Sequence, residues 1–257
     1  MSLIHRERDG HIVTAAIQRP PANALSSDLI GEVSGLLDEM EQDDSVRVIV
    51  LKGEGRFFSA GADIKEFTSI PNGEEFSKLA KRGQDVFDRI ENFPKPVIAA
   101  IHGAALGGGL ELAMACHIRF VAENAKLGLP ELQLGLIPGF SGTQRLPKLV
   151  GEAKALEMLL TSESISGIEA VKCGLANRAF PEEELFLETM KLAKKVAEKS
   201  PITVKAVLSL MAYTRNSQLA EGSNREAGYF GTVFESEDAK EGIQAFLEKR
   251  KPEFKGK

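Results

Sequence analysis

The chain reads as an α/β domain that ends in an all-helical C-terminal region. Three observations predict this. Apolar runs rich in β-branched residues at 12–17, 46–51, 97–101 and 117–122 alternate with segments of helical spacing. Glycine-rich turns, rather than polar linkers, break several of these runs. From Glu182 onward the pattern is helix alone, with no strand signal between helices. The expected division is a core over residues 1–195, carrying the site, and a helical oligomerisation region over 196–257.

Taken in order, Ile12 to Ile17 is the first strand, ended by Arg19-Pro20-Pro21. A helix follows, with Ser26 or Ser27 as cap and Leu29, Val33, Leu36, Leu37 and Met40 on one face. Val46 to Leu51 has the composition of a strand buried on both faces. Gly53-Glu54-Gly55 breaks it, and Arg56-Phe57-Phe58-Ser59-Ala60-Gly61-Ala62-Asp63 makes a turn of small residues. The polar, irregular stretch from Asp63 to Gly73 predicts a mobile surface loop. Phe76, Leu79, Ala80, Val86, Phe87 and Ile90 then carry helical spacing. Lys95-Pro96 opens the buried strand 97–101, the run from Gly103 to Gly109 breaks it, and Leu110 to Ala115 is a helix that opens directly from those glycines. Residues 117–122 form the next buried strand. Helices are expected over 182–199, 201–213, 218–234 and 238–249. A helical tail with apolar faces on a finished α/β core is expected to pack on another subunit.

Composition narrows the function classes. Hydrophobic residues make up 43% and charged residues 27% of the 257, enough for a sizeable core and a solvated surface. A formal charge of −5 argues against a surface that neutralises nucleic-acid phosphates, but leaves room for a local basic pocket. Cys116 and Cys173 are the two cysteines; they make no disulfide framework and fit a reducing compartment. The charged start Met1 to Gly10 is not a secretory leader, and no apolar run reaches membrane-spanning length. A cytoplasmic protein with no membrane and no nucleic-acid partner is the expectation.

Three constellations carry possible chemistry. The first is Gly103-Ala104-Ala105-Leu106-Gly107-Gly108-Gly109-Leu110-Glu111, at a strand-to-helix junction. Its glycines allow close approach and leave N–H groups outward at the positive end of a helix. Tight packing and binding of a negative oxygen both fit it. Neither a dinucleotide fingerprint nor a phosphate loop is present. Glu111 enters a nearly wholly apolar helix, either as an ordinary first-turn acid or as a buried one. The second is Gly128 to Gly139, where Glu131 is again a lone acid in apolar, glycine-rich surroundings. Two such acids meeting across a site would do acid and base work, one protonated and one ionised; two unrelated solvated glutamates are the alternative. The third is Phe58 to Asp63, whose outward N–H groups would complete a two-donor oxyanion hole with the glycine run. His5, His11, His102 and His117 are scattered, without metal-ligand spacing, and His102 reads as structural.

Phe58 to Glu66, Lys95 to Ala113, Pro130 to Gly139 with Gly142-Thr-Gln-Arg-Leu146, Arg19-Pro20 with Asn23-Ala24-Leu25, and Glu241-Gly242 with Ala245 to Lys251 resemble the crotonase, or enoyl-CoA hydratase/isomerase, family essentially end to end. The resemblance implies a spiral of repeated ββα turns with a C-terminal helical region that trimerises, in homotrimers or homohexamers. It implies Glu111 and Glu131 as catalytic acids and Ala60 and Gly108 as N–H donors to a thioester oxygen. Ala22, Ala24, Ala62, Asp63 and Ile64 would line a coenzyme A pocket, with Phe246 and Lys249 contacting the coenzyme of the same or a neighbouring subunit. The implied activity is addition of water across the 2,3 double bond of an acyl-CoA, with no metal or other cofactor. Isomerases resemble this pattern but typically keep only the acid at the Glu131 position, and some relatives bind RNA. His117 stands where members often carry Asp.

Overall fold

The central sheet follows from where the β-branched runs can bury both faces. In the computed structural model, which describes residues 2–216 and 218–257, β1 (Ile4–Asp9) pairs antiparallel with β2 (Ile12–Ile17). α1 (Ser27–Gln42) crosses to β3 (Val48–Gly53), which lies parallel to β2. α2 (Ile64–Phe67) and α3 (Gly73–Glu91) precede β4 (Val97–Ile101), parallel to β3. β5 (Ala104–Leu106), α4 (Gly108–Ala115) and β6 (Ile118–Ala122) follow, with β6 parallel to β4. β7 (Lys126–Gly128) pairs with β5, and a 3-10 turn (Glu131–Leu134) leads to α5 (Gly142–Val150) and α6 (Glu152–Thr161). β8 (Ile165–Ser166), α7 (Gly167–Lys172) and β9 (Arg178–Phe180) complete two sheets, ordered β1-β2-β3-β4-β6-β9 and β5-β7-β8. α8 (Glu182–Ala197), α9 (Pro201–Arg215), α10 (Leu219–Glu235) and α11 (Glu237–Glu248) end the chain. Among the described residues no helix is long and apolar enough to cross a membrane.

Side-chain alternation sorts the core into two layers. Val13, Ala15, Ile17, Ile49, Leu51, Ala99 and Ile101 point into the main core with α1 and α4. Ile12, Val48, Val50, Ile98 and Ala100 point the other way, against Ala193 and Ala197 of α8. The line expected after residue 195 therefore falls in the last turn of a helix that covers one sheet face. α1 presents Leu29, Ile30, Val33, Leu36, Leu37 and Met40 to the core, and Ser26 caps it by accepting from the Leu29 N–H at 3.2 Å.

Four features differ from expectation. β1 gave no signal because the five residues after Ile4 are all exposed; main-chain pairing to β2, not burial, makes it an edge strand. The glycine run does not simply break structure: Ala104–Leu106 pairs with Lys126–Gly128 before the helix begins. The loop after Asp63 opens with a helical turn, capped by the Asp63 side chain on the Lys65 N–H at 3.1 Å. The strand expected at 46–51 starts at Val48.

Candidate active site

Two turns of small residues meet at the start of α4, and their hydrogen bonds explain why. The Ser59 N–H donates to Ala104 O at 3.2 Å and the Leu106 N–H to Ser59 O at 3.0 Å, lacing the Phe58–Ala62 turn to β5. Gly107 turns the chain from β5 into α4 at φ 52°, ψ −129°, where a side chain is strained, and its N–H bonds Gly128 O at 2.9 Å. A methyl on Gly109 would lie 2.3 Å from Ser59 O, so the contact of turn and helix depends on that glycine.

The loop at 19–25 is fixed to the same turn. Asn23, 2% exposed, donates to Glu54 O at 2.9 Å and Phe57 O at 2.8 Å. Arg19 donates to Ala24 O at 3.1 Å and pairs with Asp63. Leu25 N–H to Gly61 O and Asp63 N–H to Leu25 O, at 2.7 and 3.0 Å, complete the seam. Ala22, Ala24, Ala60, Ala62, Asp63 and Ile64 are thus brought to one place. Ala60, Ala62 and Ile64 line a cleft that Glu111, Glu131 and Gly108 also line; Ala22, Ala24 and Asp63 do not line it.

One expectation needs correction. The Ala60 N–H donates to Ala22 O at 2.9 Å and is committed to holding the loop. The N–H of Ala62 and that of Gly108, by contrast, have no protein acceptor among the described residues. The two are neighbours: the position of a Cβ built on Gly108 lies 3.3 Å from Ala62 N. Gly108 opens α4, where N–H groups lack helical partners, and Ala62 sits in a single parallel bridge whose bonds use Gly61 and Asp63 instead. The free pair is Ala62 and Gly108.

Glu111 is 1% exposed in a helix buried throughout. Its Oε1 accepts from the Phe140 N–H at 2.8 Å and the Gly142 N–H at 2.6 Å. Burial pushes its pKa up to about 7; the Gly142 hydrogen bond opposes, the Glu131 charge adds, and the Phe140 bond and Arg145 oppose. Glu131 enters from the 3-10 turn on the other side. Its pKa is also raised by burial, and its buried Oε2 has no hydrogen-bond partner among the described residues. Glu131 packs on the glycine turn, since a Cβ on Gly107 would lie 2.9 Å from its Oε1. The rest of the cleft is apolar, formed by Phe67, Phe76, Leu79, Leu136, Ile137 and Phe140 among others.

Phe246 and Lys249 are not brought here. Phe246 is 82% exposed on α11, Lys249 follows that helix with φ 56°, and neither lines the cleft of its own chain. His102 is structural, with Nε2 2.8 Å from Gly55 O. His117 is half-buried; its Nδ1 accepts from the Val97 N–H at 2.9 Å, and desolvation lowers its pKa to about 4. Phe140, Gly142 and Arg145 were not legible as site residues. The one available signal was Gly139-Phe140-Ser141-Gly142, a small-residue turn that opens α5, where N–H groups lack helical partners.

One buried and one half-buried carboxyl facing two unpaired N–H groups across an apolar cleft fit an acid–base enzyme that polarises a carbonyl. The family model for Enoyl-CoA hydratase/isomerase matches residues 7–257, and the chain belongs to that family. It is 60% identical over 258 residues to a probable enoyl-CoA hydratase of Bacillus subtilis, covering 100% of both chains. It is 41% identical to the short-chain-enoyl-CoA hydratase of Clostridium acetobutylicum, covering 96% of this chain and 95% of that one. The crystal structure of an enoyl-CoA hydratase from Bacillus anthracis superposes with TM-score 0.95 at 37% identity, covering 100% of both. The fold is accordingly the crotonase fold, with a C-terminal region of several helices.

Proposed function

We propose that this enzyme adds water across the 2,3 double bond of a trans-2-enoyl-CoA to give the 3-hydroxyacyl-CoA. The observation that carries the reading is the convergence of both carboxyls, Glu111 and Glu131, on a cleft that also holds the Ala62 and Gly108 N–H groups. An isomerase of the same family would need only the acid at position 131.

The thioester oxygen accepts from the Ala62 and Gly108 N–H groups, which stabilise the negative charge that grows on it as C3 is attacked. Glu111, ionised and oriented by Phe140 and Gly142, takes a proton from the water whose oxygen bonds to C3. Glu131, whose carboxyl burial holds above the usual range, gives a proton to C2. Each acid thus ends in the other's starting state, and a proton passed through the next water resets the pair. When Glu131 is ionised its charge adds to the burial that raises the pKa of Glu111, so the state of one acid bears on the other. The step moves water and protons only, so no electron carrier is called for. The apolar lining, with no basic side chain in it, fits an uncharged acyl chain.

Assembly as a trimer or a pair of trimers belongs to the same reading. α10 has no buried residue, and Phe230, Phe234, Phe246 and Leu247 are each more than 60% exposed, an apolar surface suited to a second copy. Phe246 and Lys249 would then reach the coenzyme of a neighbouring subunit. A cytoplasmic enzyme is the corresponding location.

Loss of the conjugated-thioester absorbance of crotonyl-CoA tests the function. Glu111→Gln and Glu131→Gln are each expected to lower turnover on the order of 10²-fold or more. Wild-type turnover in either variant removes that residue from the mechanism.

A further inference from the structure

Arg145 is a charged side chain only 5% exposed, and nothing in the proposed step uses it. Its three nitrogens have three separate targets. Nη1 donates to Phe140 O at 2.8 Å, Nη2 to Asp88 Oδ1 at 2.5 Å and Nε to Glu91 Oε2 at 3.1 Å. Asp88 and Glu91 lie on α3, so the guanidinium is clamped from one helix while it holds the turn that enters another. That turn is the one whose Phe140 and Gly142 N–H groups grip Glu111 Oε1. A cation this deep is costly to bury unless it is fully paired, and the pairing here ends on a single peptide carbonyl beside the catalytic acid. The chain of contacts continues outward: Arg215 of α9 donates to Glu91 O at 3.2 Å and Asn92 Oδ1 at 2.9 Å.

We propose that Arg145 is a positioning residue for hydration: it fixes the Phe140–Gly142 turn so that both N–H groups stay on Glu111, and its charge favours the ionised carboxylate. The proposal rests on the role given to Glu111 above. The charged or titratable groups around Glu111 and Arg145 are Glu131 from the 3-10 turn, Asp88 and Glu91 from α3, Arg215 from α9, Cys116 and His117 just after α4, and Arg119 in β6; burial holds the Cys116 thiol protonated. His117, at about 4, stays neutral through the range in which Glu111 titrates.

The test compares Arg145→Gln and Arg145→Lys with the wild type on crotonyl-CoA over a pH series, and follows the Glu111 carboxyl by carbon-13 NMR in the same proteins. For Arg145→Gln, kcat is expected to fall roughly tenfold or more with KM within about twofold, as for a misplaced catalytic group. The acid limb of the profile and the Glu111 titration should both move to higher pH, by roughly half a unit or more. Arg145→Lys, which keeps the charge without the fork, should return the limb toward the wild-type position while kcat stays low. An unmoved limb and titration, with kcat lowered by one factor at every pH or not at all, overturns the proposal. If Arg145→Gln does not fold, Arg145→Lys decides: a lowered kcat at unchanged KM supports positioning, and wild-type kcat refutes it. The NMR titration needs no substrate. A wild type that fails to hydrate crotonyl-CoA would therefore sink the functional reading while the titration still decides the coupling of Arg145 to Glu111.

Discussion

Gly108→Ala is the smallest change that separates the oxyanion hole from everything else in the fold. It adds one methyl and leaves the residue-108 N–H in place. The backbone at Gly108 is helical, not left-handed, so alanine meets no conformational penalty there and gains some helix propensity. The methyl would lie 3.0 Å from Phe140 Cδ2 and Cε2, which a ring can relieve by a few tenths of an ångström, and 3.3 Å from Ala62 N. An oxygen held by both donors needs about 2.7–3.1 Å from each nitrogen, so methyl and oxygen compete for one space. The expected loss in kcat/KM is that of at least one donor, ~10²–10³-fold or about 3–4 kcal/mol. Thermal stability should change by only a few degrees. The measurement is crotonyl-CoA turnover at equal folded fraction, checked by circular dichroism. Gly109→Ala is the contrast: its methyl would lie 2.3 Å from the Ser59 carbonyl oxygen, a backbone atom, so it should damage folding rather than chemistry alone. A folded Gly108→Ala enzyme with wild-type turnover would show that the space beside Ala62 N holds no reacting atom.

Three further outcomes are expected. Glu111→Gln should be more stable than the wild type at pH 8 by up to about 3 kcal/mol and nearly equal to it at pH 4. The folded-state pKa of about 7 lies above the usual 4.5, so the folded protein binds more protons and loses stability as pH rises through that window; equal melting temperatures at both pH values would contradict it. Sedimentation should show a homo-oligomer in multiples of three, and an active monomer would refute the packing assigned to α10 and α11. An enoyl-CoA carrying a distal carboxylate should turn over far more slowly than its uncharged analogue of equal length, because the cleft offers it two glutamates and no cation; comparable kcat/KM values would refute the assignment of the acyl chain to this cleft.

What was legible in the sequence was what depends on local pattern. The strand 12–17, the helix capped at Ser26 and the strand 97–101 are visible because their burial is periodic or continuous over five residues or more. β7, β8 and β9 have three, two and three residues, and their pairing depends on what lies beside them rather than on their own composition. The segment 142–172 holds three helices that gave no reading, one of them with Pro147 inside it. The glutamates were findable because an acid in an apolar run is anomalous wherever it folds. The two turns that carry the donors, and Gly108 among them, were also expected; which alanine of the 58–63 turn has the free N–H was not, since N–H groups carry no residue signature.

The difference between Ala60 and Ala62 shows where local reasoning ends. Both are alanines in one turn, both line the cleft, and both have a backbone N–H. Which of them is free is decided by residues about forty positions away, in the loop at 19–25. That loop takes the Ala60 N–H on Ala22 O and pairs Leu25 with Ala62, so that its bonds run to Gly61 and Asp63. The loop is in turn fixed by Asn23, whose φ of 52° is held by two bonds to carbonyls of Glu54 and Phe57. An oxyanion donor is therefore a property of the seam between two loops. Asn23, which does not line the cleft, determines through that seam which N–H group is left without a protein acceptor.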